Sequence, residues 1–224
     1  MSKLTFNLKN YNPPTIGVIA GTPVDTQMGV DFILKNGLRA IGVPTASSPE
    51  EQNRLQFLNS DSLTQKVLGI INDFEEKNIF RTMIYCNSLS AAIDVRYIKD
   101  ACQNSKIVTP LDVYQRLASK YNKIAIWAAN GQCLSSIERI FYEVNPSIDI
   151  IGISMLPVIK AIESGNDPRW IILEFNLVSL AAKEFASDGL ILACTHLPYL
   201  QAELLKEVKI PIIDPAVEML KMLV

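Results

Sequence analysis

Two cysteines stand where chemistry can be done. Cys86 closes the run Ile84-Tyr85-Cys86-Asn87-Ser88 and Cys194 closes Leu192-Ala193-Cys194-Thr195-His196; each ends an apolar segment and opens onto small polar residues. A thiol at the end of a strand, followed by the first turn of a helix, faces free backbone N–H groups and the positive end of a helix dipole. Both favour the thiolate, so the expected effect is a pKa below the ordinary value of about 8.5. Asn87, Ser88 and Thr195 add short hydrogen-bonding groups that can hold a carboxylate or orient an amine without adding charge. Two such thiols on opposite walls of one cleft suit a particular reaction: one takes a proton from a carbon and the other returns a proton on the opposite face, inverting the centre.

The elements that must position these residues repeat. Residues 81–85 and 189–193 are hydrophobic runs of strand length, and 89–93 and 200–205 behind them open helices. The two cysteines are 108 positions apart (194 − 86), close to half of the 224 residues. The same offset carries Ile16-Gly17-Val18-Ile19-Ala20-Gly21 onto Ile124-Ala125-Ile126-Trp127-Ala128-Ala129. Ile41-Gly42-Val43 falls beside Ile151-Gly152-Ile153 at an offset of 110 (151 − 41). Further strands read at 15–20, 38–43, 123–128, 149–153 and 210–213, and helices at 26–35, 63–77, 111–120, 135–142, 171–185 and 215–223, with a helix start at Ser48-Pro49-Glu50-Glu51 and a turn-rich lead-in at 10–14. Alternating strands and helices predict an α/β fold of two pseudo-symmetric domains with largely parallel sheets flanked by helices, and an active site in the cleft between them. The expected boundaries are 1–108 for the first domain, completed by 208–224, and 109–207 for the second.

Composition narrows the partners. A formal charge of −2 and a pI near 5.5 give no electrostatic reason to expect nucleic acid or an anionic membrane. No run approaches the roughly 18 apolar residues of a membrane span, and the first residues form no apolar leader, so a cytoplasmic protein is expected. Four cysteines without a Cys-x-x-Cys pair fit reduced thiols, with Cys102 and Cys133 read as buried structural residues. One histidine and two distant cysteines leave a zinc set incomplete, so no metal is expected. Gly17 and Gly21 lack the spacing of a dinucleotide loop, so no nucleotide is expected either.

At these residues the sequence resembles the aspartate/glutamate racemase superfamily, cofactor-independent enzymes with one cysteine from each of two α/β domains. Cys86-Asn87-Ser88 is similar to that family's Cys-Asn-Thr motif, and Cys194-Thr195-His196-Leu197-Pro198 to the Cys-Thr-His-x-Pro motif of its glutamate racemases. Ile16-Gly17-Val18-Ile19, Val43-Pro44, Ser48-Pro49-Glu50-Glu51 and Ile162-Glu163-Ser164-Gly165 resemble further family segments. The resemblance implies that Cys86 and Cys194 are the acid/base pair, that His196 assists Cys194, and that Glu163 supports His196. It also implies that Asn87, Ser88, Thr195, Gly21, Thr22, Thr45 and Ala46 bind an acidic amino acid, and that the chain forms a homodimer. Three departures bear on the substrate. Ala20-Gly21 stands where glutamate racemases carry Asp-Ser, whose aspartate assists the first cysteine. Thr45-Ala46 stands for their Tyr-Gly, and the length is nearer that of aspartate racemases. His196 and Glu163 favour glutamate; Ala20 and the length favour aspartate. The alternatives are a hydantoin racemase, maleate isomerase or arylmalonate decarboxylase of the same superfamily, a binding protein that has lost turnover, and a structural protein with unreactive thiols.

Overall fold

The computed structural model describes residues 13–48, 51, 52, 54, 55, 60–183 and 186–224. Most of the turn-rich lead-in, and Pro49 and Glu50 of the expected helix start, lie outside the described residues; Glu51 and Gln52 are helical.

Two four-stranded parallel sheets form the frame. In the first, β1 (Thr15–Ala20), β2 (Arg39–Pro44), β3 (Arg81–Ile84) and β4 (Lys106–Val108) lie in the order β2-β1-β3-β4. In the second, β5 (Lys123–Ala128), β6 (Asp149–Ser154), β7 (Gly189–Ala193) and β8 (Ile212–Ile213) lie in the order β6-β5-β7-β8. The internal repeat extends to pairing register: Thr15 faces Arg39 as Lys123 faces Asp149, and Ala20 faces Pro44 as Ala128 faces Ser154. Equivalent strands therefore end at equivalent points, and the last strand residues before Cys86 and before Cys194 reach the same edge of their sheets.

The helices are placed by local signals. Helix α1 (Pro23–Lys35) begins with Thr22 as cap and Pro23 at its first position, three residues earlier than its expected start at 26. α2 (Ser60–Glu76), α3 (Asn87–Ala92) and α4 (Val95–Ala101) complete the first half. α5 (Pro110–Ala118) opens with a full capping box between Thr109 and Asp112, and α6 (Gly131–Val144) is capped by Asn130. α7 (Leu156–Glu163) accommodates Pro157 in its first turn, where a missing N–H costs nothing. The single helix expected at 171–185 is instead α8 (Pro168–Glu174), a break at Phe175-Asn176, and a π-helical turn at Ser179–Lys183; its end, 184–185, lies outside the described residues. The break has a local cause: Asn176 sits at φ 49°, in the left-handed region that asparagine tolerates and a helix does not. α9 (Gln201–Glu207) and α10 (Pro215–Leu223) close the chain. No helix of the described residues is long and apolar enough to cross a membrane.

The tail divides between the halves. The expectation gave all of 208–224 to the first domain, but β8 pairs with β7, Leu190 facing Ile212, and so completes the second sheet. Only α10 reaches back, against β3 and β4.

Alternation along β5 and β7 divides the core. Ile124, Ile126 and Ala128 on one face of β5, with Ile191 and Ala193 of β7, join Ile16, Val18, Ile19, Met83 and Cys86 in one continuous cluster. On the other face Ala125, Trp127, Leu190, Leu192 and Cys194 form a second cluster with α7 and α8. Apolar matter shared between the sheets fixes the two halves against each other, which is what a cleft built from both requires.

Candidate active site

Both cysteines open into one cavity of about 900 Å³ between the halves. Cys86 follows β3 and caps α3; Cys194 follows β7 and precedes a 3-10 turn, Leu197–Leu200. Cys86 is 5% exposed and Cys194 8%.

Their electrostatics reverse the expectation. Burial pushes the Cys86 thiol up to about 11, the negative charge of Asp25 adds to this, and contacts with Ser88 and the N–H groups of Leu89 and Gly21 only partly offset it. Burial pushes Cys194 up to about 12, opposed by the N–H of His196 and reinforced by Asp25, Cys86 and Cys133. The physical reason is that α3 spans only six residues and a 3-10 turn follows Cys194. Such short dipoles are weak, whereas removing a thiolate from water is expensive. At rest both thiols hold their protons.

Around Cys86, the Gln52 side-chain amide donates to Sγ at 3.7 Å and to Ser88 Oγ at 3.4 Å, and Sγ lies 3.4 Å from Ser88 Oγ. Gly21 makes room for that amide, since a Cβ there would lie 2.1 Å from Gln52 Nε2. Asn87 lines the cavity with its Oδ1 accepting from the buried Tyr114 hydroxyl, which fixes the amide orientation. Around Cys194, His196 Nδ1 lies 3.7 Å from Sγ and 3.4 Å from Thr195 Oγ1. On the far side of the ring, His196 Nε2 is 3.2 Å from Glu163 Oε1, within ion-pair reach but not aligned for a hydrogen bond. Glu163, at the end of α7, is half-exposed and lines the same cavity.

Most of the residues named from sequence therefore converge: Cys86, Asn87, Ser88, Thr22, Glu163, Cys194, Thr195 and His196 all line the cavity. Gly21, Thr45 and Ala46 are not among its lining. Thr45 is buried, its hydroxyl donating to Ala20 O at 3.1 Å, and Ala46 N donates to Gly21 O at 2.8 Å. The last two brace the loop after β1 instead of facing a ligand, and Gly21 acts through its backbone and its lack of a side chain.

Sequence reasoning missed Gln52 and Asp25. Asp25 Oδ1 accepts the Thr195 hydroxyl at 2.9 Å, tying the first half to the second, and lies 3.8 Å from His196 Nδ1. For Asp25 the local pattern pointed elsewhere. Thr22-Pro23-Val24-Asp25 repeats as Thr109-Pro110-Leu111-Asp112, a helix-start pattern in which the acid normally turns back to the cap. Asp112 does so, accepting from Thr109 N at 2.8 Å, whereas Asp25 leaves its cap and enters the cavity. For Gln52 nothing in the sequence signalled a role.

No protein-family model matches the chain. A glutamate racemase of Fusobacterium nucleatum is 26% identical over 179 residues, covering 78% of this chain and 64% of that protein, so the chain spans about two thirds of the length of the curated relative it matches. Among solved structures, glutamate racemase from Francisella tularensis in complex with D-glutamate superposes with a TM-score of 0.66 at 18% identity, covering 95% of this chain and 80% of that one. Picrophilus torridus aspartate racemase gives 0.65 at 18% identity over 92% and 90%. Allantoin racemase from Klebsiella pneumoniae gives 0.63 at 15% identity over 94% and 86%.

Proposed function

From the premise that the chain has the fold of the aspartate/glutamate racemase superfamily, we propose that it is an amino-acid racemase working by two-base proton transfer between Cys86 and Cys194. Its substrate is an acidic amino acid, glutamate ahead of aspartate. The observation that carries this reading is that the two thiols follow equivalent strands of a repeated sheet and face one cavity.

The chemistry follows from the geometry. Since both thiols are protonated at rest, one must lose its proton before turnover begins. On the second side His196 stands beside Cys194 with Glu163 behind it, so a proton leaving Sγ passes to the ring and the resulting cation meets a carboxylate. The Cys194 thiolate then takes the α-proton, and the Cys86 thiol delivers its own to the opposite face. In the reverse direction Cys86 becomes the base, its thiolate held by the Gln52 amide, Ser88 and the N–H groups of Gly21 and Leu89. The thiols transfer protons only, so the reaction needs no cofactor.

The glutamate assignment is supported by the relative's activity and by His196 and Glu163; the aspartate racemase and allantoin racemase folds define the competing substrates. Chiral chromatography of L-glutamate, L-aspartate and allantoin incubated with the protein tests it. The expected result is D-glutamate formed fastest, and no inversion by Cys86→Ala or Cys194→Ala. Full activity in either variant rejects the two-thiol mechanism, and inversion of allantoin alone rejects the amino-acid assignment.

A further inference from the structure

We propose that Asp25 is the binding partner of the substrate's α-ammonium group, which restricts the site to molecules carrying a cationic amine beside the carbon to be inverted. The proposal rests on the racemase reading and deepens it. The Asp25 side chain is 8% exposed, lines the cavity, and accepts a hydrogen bond from the Thr195 hydroxyl. Among the described residues no lysine or arginine pairs with it, and His196 lies no closer than 3.8 Å. A buried carboxylate with so few partners is costly to maintain, and a cation arriving from solution relieves that cost.

The molecule supplies its own comparison. Asp112 starts α5 in the same Thr-Pro-x-Asp setting and has its carboxylate fully engaged, by the N–H and hydroxyl of Thr109 and by Lys99 Nζ at 2.5 Å. Asp25 makes neither the return to its cap nor a lysine contact. It faces inward from α1 on the same side as Thr26, Gly29 and Ile33, all buried. Its charge also reaches both sulfurs, raising both thiols. An ammonium group seated on Asp25 cancels that field, so substrate entry itself eases the proton loss that turnover requires. Hydantoins, maleate and malonates, which bring no ammonium, would leave the carboxylate uncompensated.

The test compares alkylation of Cys86 and Cys194 at pH 7 by 2-bromoethylamine and by 2-bromoethanol, read by peptide mass spectrometry. In both, the sulfur forms a bond to carbon as bromide departs and the thiol proton goes to water; only the first reagent carries an ammonium group. Scaled to free cysteine, the wild type should favour the amine by about tenfold or more, the range of a charged hydrogen bond in a partly closed site. Asp25→Asn, which retains an acceptor for Thr195, and Asp25→Ser should both return the ratio to that of free cysteine, while Asp31→Asn, which removes an exposed carboxylate of the same helix outside the cavity, should preserve it. No preference in the wild type, an unchanged ratio in both Asp25 variants, or an equal loss in Asp31→Asn overturns the proposal. Labelling reads binding without turnover, so the two readings separate. Preference without inversion of any amino acid would leave the anchor standing and remove the racemase, and inversion without preference would do the opposite.

Discussion

Replacing Gln52 with alanine removes the side-chain donor that holds Cys86 from the helical segment after β2. The Nε2 to Sγ distance is 3.7 Å and the glutamine is partly exposed, so its effect belongs at the lower end of the 1.5–3 kcal/mol of a charged hydrogen bond, about 1.5 kcal/mol, or about one pH unit. The Cys86 thiol, already raised to about 11 by burial and Asp25, would move up by that unit. At pH 9 its thiolate fraction then falls from about 1% to about 0.1%, by the one-unit shift. The assay is iodoacetamide alkylation from pH 7.5 to 10.5, with Cys86 and Cys194 peptides quantified separately. Cys194 has its own environment of His196, Asp25 and Glu163 and serves as the internal reference. The expected result is a tenfold lower Cys86 rate with an unchanged Cys194 rate, the wild-type Cys86 rate rising about tenfold per pH unit below its pKa. An unchanged ratio of the two rates, or an equal fall at both, refutes the assignment of Gln52 as the residue that steadies the Cys86 thiolate.

Gly21→Ala should reproduce this result without touching the glutamine, because its Cβ would meet the Gln52 amide at 2.1 Å and displace it; a wild-type Cys86 rate would show that the amide is not confined there. The raised thiols also make stability pH-dependent. Burial favours the protonated form in the folded chain, so the contribution is complete below the unfolded thiol pKa near 9 and is lost as pH rises through about 11 for Cys86 and 12 for Cys194. Each thiol should cost about 1–1.5 kcal/mol between pH 7.5 and pH 10, measured by urea denaturation against the Cys86→Ser, Cys194→Ser double variant. Phe141→Ala should destabilise by about 3–5 kcal/mol, since the ring is fully buried in the cluster common to both sheets, and the loss should appear as one transition for both halves; two separate transitions would contradict a shared core.

The sequence carried the frame of this fold because the frame is made of buried parallel strands. Residues 123–128 form a strand at the bounds expected, as does the helix Pro215–Leu223, since continuous apolar runs between turn residues have few other solutions. The offset of 108 between Cys86 and Cys194 held because both follow equivalent strands of one repeated sheet order. What escaped depended on tertiary context. The break at Asn176 is a single backbone torsion inside an apolar stretch that reads as continuous helix. β4, three residues long, is too short for periodicity to mark. The thiol shifts were misjudged because a helix start is visible in sequence and the depth of burial is not. Asp25 looked like an ordinary first-turn acid, and only the position of Thr195, 170 residues away, shows that its carboxylate turns into the cavity.

The central claim is that two thiols act on opposite faces of one carbon. It is tested most directly by following early turnover of L-glutamate in deuterated water by proton NMR, with separation of enantiomers. Two bases predict that newly formed D-glutamate carries deuterium at the α-carbon while the remaining L-glutamate keeps its proton, because the proton taken by one thiol is not the one delivered by the other. Product that retains the original α-proton would contradict the account, as would inversion that survives loss of either cysteine.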